Sequence, residues 1–198
     1  MLMRNILSCV YESKIQRGET VAIFGVGGLG MAAVQLARAF GSAEVYAIDT
    51  NKSKLTLAKQ LGAIPIDASE KDPIKELNRL TKGDGVDVAL ELIGLPETIR
   101  QAIESLSVFG RAALVGLGDN PVEINSYKNL IKKEAEIIGV SDHLAEEIPH
   151  MIEMVRNGTL DLSSIVTQKI QLSDKEINKV IDSLQSYDGE NVRSVIIL

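Results

Sequence analysis

Gly25-Val26-Gly27-Gly28-Leu29-Gly30 spaces its glycines as G-x-G-x-x-G, directly after the apolar run Thr20–Gly25 and at the opening of a helix-period segment. In that context the first glycine permits a tight turn and the second lets the backbone approach a pyrophosphate. The third allows the helix to pack closely on the strand. The helix start adds unpaired N–H groups and the positive end of its dipole. Asp49 ends the next apolar run, at the spacing of about 20 residues where an acid accepts bonds from an adenosine ribose. That carboxylate would repel a 2′-phosphate, so the pattern reads as an NAD site in preference to NADP. A methyltransferase also uses a glycine-rich first loop and a following acid, but the tight glycine spacing suits a pyrophosphate better.

Other chemistry-bearing residues are sparse. Cys9 is the single cysteine, and His143 and His150 are the two histidines. That excludes an internal disulfide and leaves too few ligands for a closed structural zinc site. Cys9 reads as a small buried apolar residue in a helix over Arg4–Ile15. No Ser/His/Asp arrangement presents itself, and Asp84, Asp87 and Glu91 read as loop and strand-end residues. No catalytic residue and no metal ligand is therefore expected within the chain.

Elements in alternation must position the glycine loop. Thr20–Gly25, Glu44–Asp49, Val86–Glu91, Arg111–Gly116 and Ala135–Gly139 read as buried strands, with Ile64–Asp67 a weaker candidate in which Pro65 suggests an edge or a strand start. Helical patterns cover Gly28–Phe40, Lys52–Leu61, Pro73–Leu80 and Glu97–Leu106, with Gly41, Gly62, Gly83 and Gly110 as stops. The expected fold is α/β, a Rossmann doubly wound sheet of six parallel strands with helices on both faces. Beyond Gly139 the rhythm changes. Ala145–Asn157 and Ser173–Leu184 read as helices, the second with Ser173 and Glu176 in capping-box spacing. Val192–Leu198 reads as an apolar strand with no evident partner, and Ser141–Leu198 as built to pack against further material; a simple extension of the main sheet is the alternative. The division expected is a lead-in helix over 1–17, a dinucleotide-binding domain over 18–140 and a return segment over 141–198.

Lys and Arg number 21 against 27 Asp and Glu, a net charge of −6, which argues against nucleic-acid or anionic-membrane partners. No apolar run approaches the roughly 20 residues of a membrane span. One cysteine fits a reducing cytoplasm.

Taken in order, these pieces resemble the zinc-containing, medium-chain alcohol dehydrogenase family, in its coenzyme-binding half and C-terminal return. The resemblance rests on Arg17-Gly18-Glu19-Thr20-Val21 leading into the glycine loop, and on Asp49 and Lys54 followed by Ala58 and Leu61-Gly62-Ala63. It continues through Gly85-Val86-Asp87 into Glu91-Leu92-Ile93-Gly94, Gly110-Arg111 into Leu114-Val115-Gly116-Leu117, Ile138-Gly139, and Gly189 to Arg193 before Val195 to Leu198. It implies that Gly25, Gly27, Gly28, Leu29 and Gly30 cradle the NAD pyrophosphate, with Arg193 adding a charge. Asp49 and Lys54 would hold the adenosine ribose, Ile93 and Gly94 would line that side of the cleft, and Val115, Gly116 and Leu117 would meet the nicotinamide largely through backbone groups. It further implies a homodimer joined at the edge strand 135–139. In this family zinc performs the chemistry, on ligands from a domain preceding the coenzyme loop. Only 24 residues precede Gly25, so zinc belongs to a catalytic domain missing here. The chain, a piece of a longer enzyme or a natural short protein, is not expected to oxidise alcohols alone. Two alternatives stay open: a stand-alone NAD-sensing module, and the coenzyme domain of a zinc-free quinone or enoyl reductase, against which Asp49 tells.

Overall fold

Alternate residues of a buried strand face opposite sides of its sheet, and Thr20–Phe24 (β1) shows the consequence. Val21 and Ile23 join one apolar cluster while Ala22 and Phe24 join another. Both faces are therefore covered, and the strand needs apolar residues throughout. The protein is described here by a computed structural model covering residues 2–141, 148–163, 165–185 and 192–197.

The chain runs α1 (Leu2–Glu12), β1, α2 (Gly28–Ala39), β2 (Glu44–Asp49), α3 (Lys52–Gln60), β3 (Ile64–Asp67), α4 (Pro73–Leu80), β4 (Val86–Glu91), α5 (Pro96–Glu104), β5 (Leu106–Leu114) and β6 (Glu136–Gly139). The six strands form one parallel sheet in the order β3-β2-β1-β4-β5-β6. This is the expected doubly wound fold, with Pro65 on an edge strand. One face carries Ile6, Leu7 and Val10 of α1 and Ala32, Ala33 and Leu36 of α2. The other carries Leu77 of α4 and Ala102 and Ile103 of α5. Cys9 is fully buried in the first cluster, where burial pushes its thiol up to about 12. Asn51 and Asp72 start α3 and α4 by accepting from backbone N–H groups of the first turn, which satisfies donors the helix cannot.

Strand order reverses between β1 and β4. In an open α/β sheet, ligands bind in the crevice beyond the carboxyl ends of the strands at that switch point. The glycine loop leaves β1 there, and Leu92–Gly94 leaves β4 beside it.

Two sequence expectations are corrected. The helix expected over Glu97–Leu106 ends at Glu104, and β5 begins at Leu106 rather than Arg111. Val86 pairs with Leu106 but Val88 pairs with Arg111, so the intervening residues bulge. Phe109 sits in the bulge at φ 63° and 64% exposed, and Gly110 lies in the strand instead of stopping a helix. The terminal strand also has a partner. β8 (Ser194–Ile197) pairs in parallel with β7 (Gln168–Gln171) as a separate two-stranded sheet, not as an extension of the six. α6 (Ile148–Arg156) and α7 (Asp174–Gln185) accompany them; residues 145–147 of the expected helix lie outside the described residues. Ser173 Oγ accepts from Glu176 N at 3.3 Å, whereas the Glu176 carboxylate reaches Gln171 N at 2.6 Å, so the capping box closes on the preceding strand. Met151, Leu160 and Ile165 join the main core, while Ile152, Val155, Ile181, Val195, Ile196 and Ile197 stay substantially exposed. Among the described residues no helix is long and apolar enough to cross a membrane.

Candidate functional site

Gly25 turns the chain out of β1 at φ 92°, a conformation that disfavours any side chain. Its N–H donates to Ile48 O at 2.8 Å, and the next N–H, of Val26, donates to Asp49 Oδ2 at 2.9 Å. The first turn is thus laced to the end of β2. Helix α2 starts at Gly28 with Gly27 as N-cap and no capping side chain. The N–H groups of Gly28, Leu29 and Gly30 have no acceptor within their own helix. A Cβ at Gly27 would meet nothing within 4 Å, so that flank is open. A Cβ at Gly30 would lie 2.1 Å from Gly25 O, so strand exit and helix touch backbone to backbone.

Arg193 comes to this loop from the far end of the chain. A Cβ at Gly28 would stand 2.9 Å from an Arg193 guanidinium nitrogen and 3.3 Å from Val192 O. Thr167 places it: its N–H donates to Arg193 O at 3.0 Å, and its Oγ1 accepts from Val192 N at 2.9 Å and Arg193 N at 3.3 Å. A guanidinium beside a helix N-terminus sets positive charge on positive partial charge, which an anion between them would relieve.

Asp49 is half-buried. Its Oδ1 accepts from Asn51 N at 2.9 Å and its Oδ2 from Val26 N. A carboxylate has about four lone-pair sites, so acceptor capacity is left for a vicinal diol. Lys54, half-buried, sits in the first turn of α3, its N–H held by the Asn51 side chain at 3.1 Å.

The far wall is made by two loop exits. Ile93 is 36% exposed, and its Cγ1 would be 2.6 Å from a Cβ at Gly25. Gly94, at φ 89°, is pressed against the β5 exit: a Cβ there would lie 2.4 Å from Leu117 O. Reciprocally, a Cβ at Gly116 or Gly118 would lie 2.1 Å from Gly94 N or O. Val115 is buried. Its N–H and that of Gly116 already donate to Glu91 O at 2.9 and 3.1 Å. Leu117 is 95% exposed.

All thirteen residues expected from sequence thus lie on the glycine loop, the ends of β2, β4 and β5, the start of α3, and the Arg193 return. Sequence reasoning missed Thr167, Gly118 and Glu91. A lone threonine in a polar stretch carries no signal; Gly118, two residues after Gly116, was a readable one. A cavity lined by Gly83, Gly85, Lys128 and Lys133 opens at the opposite, amino ends of the strands and includes none of these residues. His150 is exposed, and His143 lies outside the described residues. Among the described residues no three His, Cys, Asp or Glu side chains gather as a metal-ligand set.

The model of the family described as zinc-binding dehydrogenase matches residues 28–157. The chain belongs to that family. The chain is 33% identical over 177 residues to the L-threonine 3-dehydrogenase of Bacillus velezensis, covering 87% of the chain and 50% of that protein. It is 30% identical over 168 residues to the (R,R)-butanediol dehydrogenase of Bacillus subtilis, covering 85% and 48%. The crystal structure of 2R,3R-butanediol dehydrogenase from Bacillus subtilis superimposes with a TM-score of 0.88 at 29% identity, covering all of this chain and 56% of that one. The chain spans about half the length of these relatives.

Proposed function

We propose that this chain binds NAD(H) and supplies the coenzyme half of an alcohol or polyol dehydrogenase. The observation that carries the reading is the convergence of Asp49, the uncapped start of α2 and the Arg193 guanidinium on one glycine loop. When bound, NAD supplies a nicotinamide that accepts or returns a hydride. The N–H groups of Gly28, Leu29 and Gly30, reached past Gly25 and Gly27, hold the pyrophosphate with Arg193. Asp49 accepts from the ribose hydroxyls and Lys54 donates beside it. Ile93 and Gly94 wall the cleft, and Val115, Gly116 and Leu117 orient the nicotinamide largely through backbone groups. Zinc chemistry is assigned to the part of the relatives that this chain does not span. On this reading the chain alone binds coenzyme without turning over an alcohol. A cytoplasmic location fits one buried cysteine.

Calorimetric titration tests the reading. NADH should bind with at least about tenfold preference over NADPH, about 1.4 kcal/mol. Binding of neither nucleotide sinks it, and a preference for NADPH transfers the chain to the zinc-free reductase reading.

We also propose a homodimer through strand 135–139. β6 is the sheet edge opposite β3, with Ile137 36% exposed, and an unpaired apolar edge is a template for another strand. Light scattering at micromolar concentration should give twice the chain mass; a monomer rejects the proposal.

A further inference from the structure

Glu91, the last residue of β4, is a carboxylate with no exposed surface. An ionised carboxyl is strongly disfavoured in such a place unless donors surround it. Here they do: Oε1 accepts from Ile93 N at 3.0 Å, Gly94 N at 2.9 Å and the Thr98 hydroxyl at 2.8 Å, and Oε2 accepts from Gly94 N at 3.2 Å. Thr98 lies in the first turn of α5, whose N-cap Leu95 makes no side-chain cap bond. Glu91 therefore brings negative charge from the strand to the positive end of that helix. The backbone carbonyl of the same residue accepts from Val115 N and Gly116 N. One residue thus holds both loop exits, Ile93–Gly94 by its side chain and Val115–Gly116 by its main chain. Packing does not ask for an acid here, because the flanking strands β1 and β5 end in Phe24 and Leu114.

We propose that Glu91 is the positioning residue for the nicotinamide end of the cofactor cleft, presetting Gly94 against Gly116–Gly118 so that NADH meets a wall already formed. The inference rests on the NAD(H) reading. Preorganisation of this kind raises affinity by removing the ordering that binding would otherwise require. The adenosine end is held by its own bonds, Val26 N to Asp49 and Gly25 N to Ile48 O, and it meets the β4 exit through Ile93 and through Leu92 N, which donates to Phe24 O at 3.0 Å.

The test compares NADH with ADP on the full chain by calorimetry, with melting curves for each variant. Glu91→Gln keeps the size of the side chain but turns one acceptor toward the N–H groups as a donor. It should weaken NADH by about tenfold, the effect of one charge-assisted hydrogen bond, and leave ADP within about threefold. Thr98→Val removes a single donor and should weaken NADH by about threefold with ADP unchanged. If Glu91→Gln lowers both ligands equally, or neither, the role is overturned. Should Glu91→Gln fail to fold, Thr98→Val decides: an unchanged NADH-to-ADP ratio overturns the role. A wild-type chain that binds neither ligand overturns the NAD(H) reading and this role together, a pattern distinct from normal wild-type binding with an indifferent variant.

Discussion

Gly30→Ala should abolish useful coenzyme binding, with NADH affinity down by about a hundredfold, as a displacement near 1 Å at a positioned site can cost. The added Cβ would lie 2.1 Å from Gly25 O and 3.0 Å from its carbonyl carbon. Both obstacles are backbone, so no side chain can swing aside. Relief requires α2 to withdraw from the β1 turn. Met31, Ala32, Ala33, Leu36 and Ala37 of that helix are all fully buried, so withdrawal opens the core on the α1 side. The stability cost should be about 1–3 kcal/mol, the usual range for overpacking, read by urea denaturation. Gly27→Ala is the companion. Its Cβ meets nothing within 4 Å, and its backbone at φ −74° is ordinary for alanine. Stability should stay within about 0.5 kcal/mol, while NADH binding falls because the methyl fills the open flank where the pyrophosphate must lie. A Gly27→Ala chain that binds NADH like wild type would remove the pyrophosphate from this loop.

The parts legible in sequence are those whose physics is local. Glycine spacing after an apolar strand reports a backbone contact within six residues, and Gly25 to Gly30 bear it out in distance. β1, β2 and β4 were readable because burial on both faces forces near-continuous apolar runs such as TVAIF, whereas Ala135–Gly139, read as a buried strand, is a sheet edge with Glu136, Ile137 and Gly139 exposed. β7 was not: QKIQ has one apolar residue, and its order comes from pairing with a strand at the other end of the chain. Leu106–Gly110 misled for a related reason. An apolar residue followed by a glycine can close a helix, but Leu106 is claimed by Val86 across the sheet. Arg193 entered only through family resemblance, since its approach to Gly28 depends on the Thr167 clasp. Glu91 looked like any strand-end acid. Two of its donors are two and three residues away, yet its burial is set by the sheet, which sequence spacing does not express.

Asp49 carries two separable roles, and Asp49→Asn and Asp49→Ala should pull them apart. Asn keeps the size and one carbonyl oxygen, which can still accept from Val26 N or Asn51 N, but it loses the charge. The NADH preference of the chain should then collapse to near parity, chiefly because the 2′-phosphate of NADPH is no longer repelled. Alanine removes both acceptors. Val26 N, at the turn of the glycine loop, loses its partner, and leaving such a donor unsatisfied costs about 1–3 kcal/mol. Asp49→Ala should therefore unfold earlier in urea and lose NADH by about a hundredfold, because the ribose bonds and the loop geometry go together. The order matters: if Asn and Ala weaken NADH equally with the fold intact, the carboxylate acts only on the ribose and the bond to Val26 is incidental. If Asn retains a strong NADH preference, discrimination does not reside in the charge at position 49 and lies instead in the room left for a 2′-phosphate, since a cation such as Lys54 would attract that group.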